Sequence, residues 1–361
     1  MWFTKGGFGE YNSYNSSMIR PAEGMSMKRW AVILILTAGV FRAALAADYK
    51  PEFKMSVVVN EQTPWGRAAI RFADAVKYRT QGRIQIKNYF DGRLFAGEQT
   101  TEFQLMQQGV ADFAIGSTAN WFPQVKELNL FLLPFMFSSH TALDAVEAGE
   151  PGKRLFQLIE QKGVVPIAWG ENGFREVTNS KHAIRRTEDL YGLKIRVPPI
   201  PIIVEIFQAL GANPVSLNWN EAQAAFQQGA VDGQENPVAL IIPYKLWAVH
   251  KYVTLWHYAI DPLILAVSTK TWATLSPEDR LILQKVGDEI MAEQKKEARE
   301  GVEAQILADS LEKIYEMEVT RLSPADAEAF RDKTRFVYDK WAEHIGGEMV
   351  RSAETIVEKT K

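Results

Sequence analysis

The chain contains no cysteine. A disulfide framework, a thiolate nucleophile and a thiolate-held zinc are therefore excluded. Histidine is scarce as well, at five in 361 residues. Only His250 and His257 fall near each other, and nothing nearby supplies a third ligand, so neither a metal site nor a cofactor is expected. The formal net charge is −3, with no basic block or stripe, which gives no footprint for nucleic acid. No G-x-S-x-G or H-E-x-x-H occurs, "GEPGKR" at 149–154 has the wrong spacing for a phosphate loop, and "GGFGE" at 6–10 precedes any folded segment. Finally, no apolar run approaches the roughly twenty residues that span a bilayer.

What is present begins with a leader. From Met27 the chain reads "MKRWAVILILTAGVFRAALA", in which Lys28 and Arg29 precede a short apolar run, Ala31 to Phe41, and an Ala44-Leu45-Ala46 exit. That is the layout of a secretory signal peptide over 27–46, with Arg42 its atypical residue. Residues 1–26 read as a leader from a misassigned start, with Met27 the true initiator. Export to the periplasm follows. The chain as a whole has an ordinary globular composition, 47% hydrophobic and 24% charged, and length enough for two domains.

Strand and helix patterns alternate along it. "FKMSVVVN" (53–60) reads as a buried strand. In "TPWGRAAIRFADAVKYRTQG", Thr63 stands at an N-cap, Pro64 at the first helical position, and Trp65, Ala69, Phe72 and Val76 recur at helical spacing. "RIQIKNYF" and "VADFAIG" read as further strands around the helix "TTEFQLMQQG". The alternation predicts α/β crossover units. A weak repeat strengthens the reading: "LMQQGVADFAIG" (105–116) and "AFQQGAVDGQEN" (225–236) share a helix, Gln-Gln-Gly, small apolar residues and Asp. Gly109 and Gly229 read as helix ends, and Asp112 and Asp232 as strand starts. Two similar lobes are thus expected, lobe I from 48–172 plus 261–300 and lobe II from 173–260 plus 301–361. "DPLILAVS" (261–268) reads as a buried strand returning to the first, and a helical pattern of some forty residues from Ser276 either breaks at Gly287 or Gly301 or crosses both lobes.

Chemistry gathers at strand ends. In "YGLKIRVPP", Leu193, Ile195 and Val197 alternate with Lys194 and Arg196, and prolines stop the strand right after Val197, so that Arg196 is its last polar step. "WGENGFREV" places Arg175 after a Gly-containing turn beside Asn172 and Phe174, and "DGQENP" places Asn236 before Pro237. Open α/β sheets bind ligands beyond strand ends. A guanidinium presents a planar fork that matches a carboxylate. Each residue alone reads as a surface ion pair; together the two arginines and the amide favour a carboxylate site.

The stretch 173–237, with Gly-Phe-Arg, Gly-Leu-Lys-Ile-Arg-Val-Pro, Leu-Gly-Ala-Asn-Pro and Asp-Gly-Gln-Glu-Asn-Pro, resembles the core of TRAP-transporter solute-binding proteins, and the likeness extends more loosely from about Phe53 to the C-terminal helices. The resemblance implies a two-lobed periplasmic-binding-protein-like α/β fold, each lobe a mixed sheet flanked by helices, with a long helix bracing both. It implies capture of an organic acid for delivery to TRAP membrane subunits, by a monomer. Arg196 matches the family's ion-pairing arginine, Arg175 a second ligand-contacting arginine, and Asn236 the binding-site asparagine. Looser correspondence adds Asn60, Glu98 or Gln99, and Ser117 to Asn120 with Trp121. Trp219, Trp65, Trp169 and Phe174 are candidate pocket walls as well as candidate core. These aromatics suit a sugar acid or an aromatic acid, whereas "PPIPII" replaces a polar position with apolar residues and leaves uronates, aldonates, and hydroxy or oxo acids all open.

Charge-assisted hydrogen bonds contribute roughly 1.5–3 kcal/mol each, and micromolar affinity needs about 8 kcal/mol. Apolar contact and lobe closure must therefore add to the arginines. Two other classes stay open at this level. One is an exported α/β enzyme using Glu98 or His257 as acid/base; the other is an exported sensor that reports occupancy to a membrane receptor.

Overall fold

A computed structural model describes residues 49–303 and 305–360. The leader expected at 1–26 and the signal peptide expected at 27–46 lie outside the described residues. The strands are β1 (Phe53–Val57), β2 (Ile86–Tyr89), β3 (Phe113–Ser117), β4 (Val164–Asn179), β5 (Lys194–Val197), β6 (Asn213–Ser216), β7 (Gly233–Pro237), β8 (Tyr252–Ser268) and β9 (Glu318–Arg321). Before β4 come helices α1 (Pro64–Arg79), α2 (Glu102–Gln108), α3 (Thr118–Trp121), α4 (His140–Ala148) and α5 (Glu150–Gln161). After β5 come α6 (Pro201–Ala209), α7 (Trp219–Gln227), α8 (Thr269–Thr274), α9 (Pro277–Glu303), α10 (Gln305–Lys313), α11 (Pro324–Ile345) and α12 (Gly347–Glu358). No helix among the described residues is long and apolar enough to cross a membrane.

The strands form one mixed sheet of order β2-β1-β3-β8-β4-β7-β5-β6, with β9 also on β8. Its halves repeat each other. β1 pairs in parallel with β2 and β3, as β5 does with β6 and β7. The repeated Asp does the same work in each half. The Asp112 carboxylate accepts from Lys54 N at 2.7 Å, and the Asp232 carboxylate from Lys194 N at 2.9 Å. Gly109 and Gly229 both take positive φ, 77° and 65°, the left-handed turn that lets a helix end and feed a strand.

Two long antiparallel strands, β4 and β8, run through both halves and make the hydrogen-bonded ladder continuous. β3 pairs with Leu263–Val267 of β8, while β9 pairs with Tyr252–Leu255. The Gly-containing turn expected before Arg175 is therefore not formed: residues 169–179 are the C-terminal part of a 16-residue strand. Gly173, at φ 118°, lies at one of the bulges that interrupt its register between Glu171 and Gly173 and between Arg175 and Val177. Bulges re-aim side chains at the crossing between the halves.

α1 forms as its sequence predicts. Thr63 caps it by accepting from Gly66 N at 2.9 Å, and Trp65, Ala69, Phe72 and Val76 are buried. The long helical pattern after Ser276 passes unbroken through Gly287 as α9. A Cβ at Gly287 would sit 2.5 Å from Ile167, so this glycine lets the helix lie close to β4 rather than ending it. α9 packs on β4 and α1, and α10 packs on β9. α12 packs on α4 and α5, helices that precede β4 in the chain, and α11 packs on α6.

Candidate functional site

β5 presents the site's principal charge. Ile195 and Val197 enter the main apolar core, so strand alternation turns Arg196 the other way, and Pro198 ends the strand there. Arg196 is 1% exposed. Its Nε and Nη2 donate to the Leu217 carbonyl at 2.9 and 2.6 Å, and its guanidinium lies 5.4 Å from the Trp219 ring centre. Among the described residues no carboxylate forms an ion pair with it. Burial pushes its pKa down to about 9, with the Glu235 charge opposing, so it still carries its proton at neutral pH.

Arg175 is equally buried but fully engaged. Its Nε and Nη2 grip the Glu235 carboxylate at 2.6 and 2.7 Å, its Nη1 donates to Asp261 Oδ2 at 3.1 Å, and its Nη2 also reaches Asn236 Oδ1 at 3.2 Å. Burial opposes its charge, but the attraction and hydrogen bonding of Glu235 outweigh that and raise its pKa above the ordinary arginine value. Asp261 is pushed up by burial against the pull of Arg175, Ser117 and Asn172. Ser117 Oγ donates to Asp261 Oδ1 at 2.6 Å and Asn172 Nδ2 to Oδ2 at 2.8 Å.

These groups surround a tight cavity of about 30 Å³, room for no more than about one or two water molecules. Gln99, Ser117, Asn120, Asn172, Asp261 and the two arginines line it together with Asn236, and Val58, Val59, Trp65, Pro198, Ile200, Trp219 and Leu240 supply apolar wall. Of the residues anticipated from sequence, Arg196, Arg175, Asn236, Trp219, Ser117 and Asn120 meet here, with Trp65.

Four others do not. Asn60 lies in an outer groove with Asp91 and Tyr244; its Oδ1 accepts from Gln62 N at 3.1 Å in the turn after β1, and Val58 and Val59 take the wall instead. Glu98 is exposed, and its neighbour Gln99 is the residue turned inward. Phe174, one step before Arg175, takes the opposite face of β4 and stacks on His257 at 4.5 Å. Trp169 stacks on Phe156 at 4.6 Å, outside the cavity. Asp261 and Glu235 were not foreseen. The lone acid within the apolar run "YAIDPLILAVS" was the available signal for the first.

A mixed sheet shared by two repeated halves, closing over a small cavity with a buried arginine, defines a periplasmic-type binding protein rather than a nucleotide or metal fold. Residues 55–344 match the profile described as bacterial extracellular solute-binding protein, family 7, and the chain belongs to that family, the solute-binding component of TRAP transporters. A solute-binding protein of Roseobacter denitrificans is 33% identical over 257 residues, 70% of this chain and 77% of that protein. The 2,3-diketo-L-gulonate-binding periplasmic protein of Escherichia coli K12 is 30% identical over 73% of this chain and 79% of its own. Among solved structures, a TRAP periplasmic solute-binding protein from Ralstonia eutropha H16 with bound (S)-2-acetolactate is 48% identical, with TM-score 0.84, covering 86% of this chain and all (100%) of that one. The sugar-acid-binding protein of Advenella mimigardefordensis in complex with galactonate is 28% identical, with TM-score 0.80, over 86% and 98%.

Proposed function

We propose that this protein, exported to the periplasm by residues 27–46, captures a compact hydroxy or oxo monocarboxylate in the Arg196 cavity and delivers it to TRAP membrane subunits without transforming it. The observation that carries the ligand class is Arg196 itself. A buried cation without a carboxylate partner is costly, and a ligand carboxylate supplies the missing charge. The wall mixes polar and apolar side chains, and a compact acid is favoured over an aromatic one because the 48% identical relative holds a compact oxo acid. The catalytic alternative relied on Glu98 and His257, and neither lines the cavity: Glu98 faces solvent, and His257 pairs with Glu176 beside Phe174.

Thermal melting against a panel of acids tests this. Ligand at a hundred times its Kd stabilises by about 2.7 kcal/mol. Small hydroxy or oxo monocarboxylates are expected to raise Tm and neutral sugars to leave it unchanged. An equal shift with neutral sugars contradicts the carboxylate assignment, and turnover of the bound acid contradicts the transport role.

A further inference from the structure

The fixed charges of the cavity are unevenly shared between its two arginines. Arg175 brings one cation to two acids. Its Nε meets the Glu235 carboxylate at 2.6 Å and its Nη1 the Asp261 carboxylate at 3.1 Å. Tyr258 also donates to Glu235, at 2.6 Å, and adds no charge. One guanidinium against two carboxylates leaves this cluster with a negative charge in excess. Arg196 has the opposite imbalance, because its Nε and Nη2 donate to the Leu217 carbonyl and not to an acid.

Of the two acids on Arg175, Asp261 is the one that lines the cavity. The long strands bring it there. Asn172 is the extra residue of the β4 bulge between Glu171 and Gly173, and Gly173 pairs with Asp261 of β8. Asn172 and Asp261 thereby meet at 2.8 Å in the cavity wall, and Ser117 reaches the other Asp261 oxygen at 2.6 Å. Neutralising Arg175 does not require this second acid, since Glu235 already takes both its Nε and its Nη2. Asp261, 1% exposed and held by three donors, is therefore a negative charge placed at the cavity. A ligand carboxylate on Arg196 satisfies that cation. The second carboxylate of a dicarboxylate would have to share the same small space with Asp261, beside a cluster that is already negative. Like charges brought together in a buried site repel strongly.

We infer that Asp261 is a specificity-determining residue that restricts the site to monocarboxylates by repelling a second carboxylate. The inference rests on the carboxylate reading above and goes beyond it by naming the group that excludes dicarboxylates.

Calorimetric titration with two matched pairs of acids tests it: (S)-2-acetolactate against 2-hydroxy-2-methylmalonate, and 4-oxopentanoate against succinate. Within each pair a methyl ketone gives way to a carboxylate of the same shape, while the rest of the acid stays constant. Wild type is expected to bind each monocarboxylate at least about a hundredfold more tightly than its dicarboxylate partner. Asp261→Asn keeps the shape and removes the charge, with its oxygen toward Arg175 and Asn172 and its amide toward Ser117 Oγ. The preference for the monocarboxylate is expected to fall at least about tenfold in both pairs. Asp261→Ser, which removes the charge with a smaller side chain, is expected to shift the preference the same way. A structural role alone would move all four affinities together and keep the preference, and that result overturns the inference. Equal wild-type affinity within the pairs, with binding that Arg196→Ala abolishes, defeats this inference alone. Failure of both monocarboxylates to bind, or binding indifferent to Arg196→Ala, defeats the carboxylate reading and this inference with it.

Discussion

Arg175 and Arg196 look alike in sequence, each at a strand position two residues from a Gly or Pro, and the structure gives them opposite roles. Arg175 neutralises Glu235 and Asp261, which are themselves buried. Arg196 donates only to a backbone carbonyl. Their stability effects should therefore differ in sign. Arg175→Ala leaves two buried carboxylates without their cation, a cost of roughly 3–5 kcal/mol. Arg196→Met removes a buried charge that nothing in the unliganded protein pairs, so its ligand-free stability is expected to equal or exceed wild type. Denaturant unfolding of the two variants measures this; a loss for Arg196→Met as large as for Arg175→Ala would show that both arginines hold the fold. The sequence made Arg196 legible because alternation and the proline stop define which way it turns. It could not separate the roles of the arginines, since the acids that claim Arg175 come from β7 and β8, far along the chain.

Among the elements, α2 carries an ionisable group in an unusual place. Glu102, in its first turn, is fully buried; Ser56 Oγ of β1 donates to it at 2.6 Å and Trp121 Nε1 of α3 at 3.0 Å. Burial nevertheless raises its pKa from 4.5 to about 7, against those two hydrogen bonds. Between these values the folded protein holds a proton that the unfolded chain has released. The stabilisation is fully present below pH 4.5 and is lost as pH rises through 7. Glu102→Gln should flatten the stability profile over that interval and exceed wild type at pH 8 by on the order of 3 kcal/mol. Parallel melting curves for the two proteins from pH 5 to 8 would contradict it. Short elements were the legible ones here: β1 stands where its buried apolar run places it, β5 where period-two alternation does, β3 and β7 where the repeat does, and α1 where the 3.6-residue period does. The long strands were not. β4 carries Gly170 and Gly173, and β8 carries His257 at φ 52° and Pro262, local signals for turns that pairing along both neighbours overrides. Because Arg175, Asn172 and Asp261 sit on those stretches, their convergence was hidden with them.

At the scale of the whole molecule, the described state is closed. Tyr244 Oη accepts from Asn60 N at 2.7 Å, Asn220 Nδ2 reaches the Asp91 carbonyl at 3.1 Å, and Gln99 takes the Trp219 N–H at 3.0 Å. Each bond joins a loop of the first half to the start of α7 or the segment after β7. A ligand reaches Arg196 only when these contacts part, and the bulged crossings of β4 and β8 are where the continuous sheet can flex. Under the proposed function, closure then surrounds the ligand with the mixed polar and apolar wall and leaves the guanidinium to meet its carboxylate. Calorimetric titration of a small oxo acid such as 2-oxoisovalerate into wild type and folded Arg196→Ala measures that meeting most directly. Truncation leaves the bound carboxylate buried and unpaired, at roughly 3–5 kcal/mol, so Kd is expected to weaken by at least about a hundredfold at roughly 1.4 kcal/mol per tenfold, with Arg196→Lys between the two because it keeps the charge and loses the fork. A Kd for Arg196→Ala within tenfold of wild type would contradict the assignment of this arginine to the ligand.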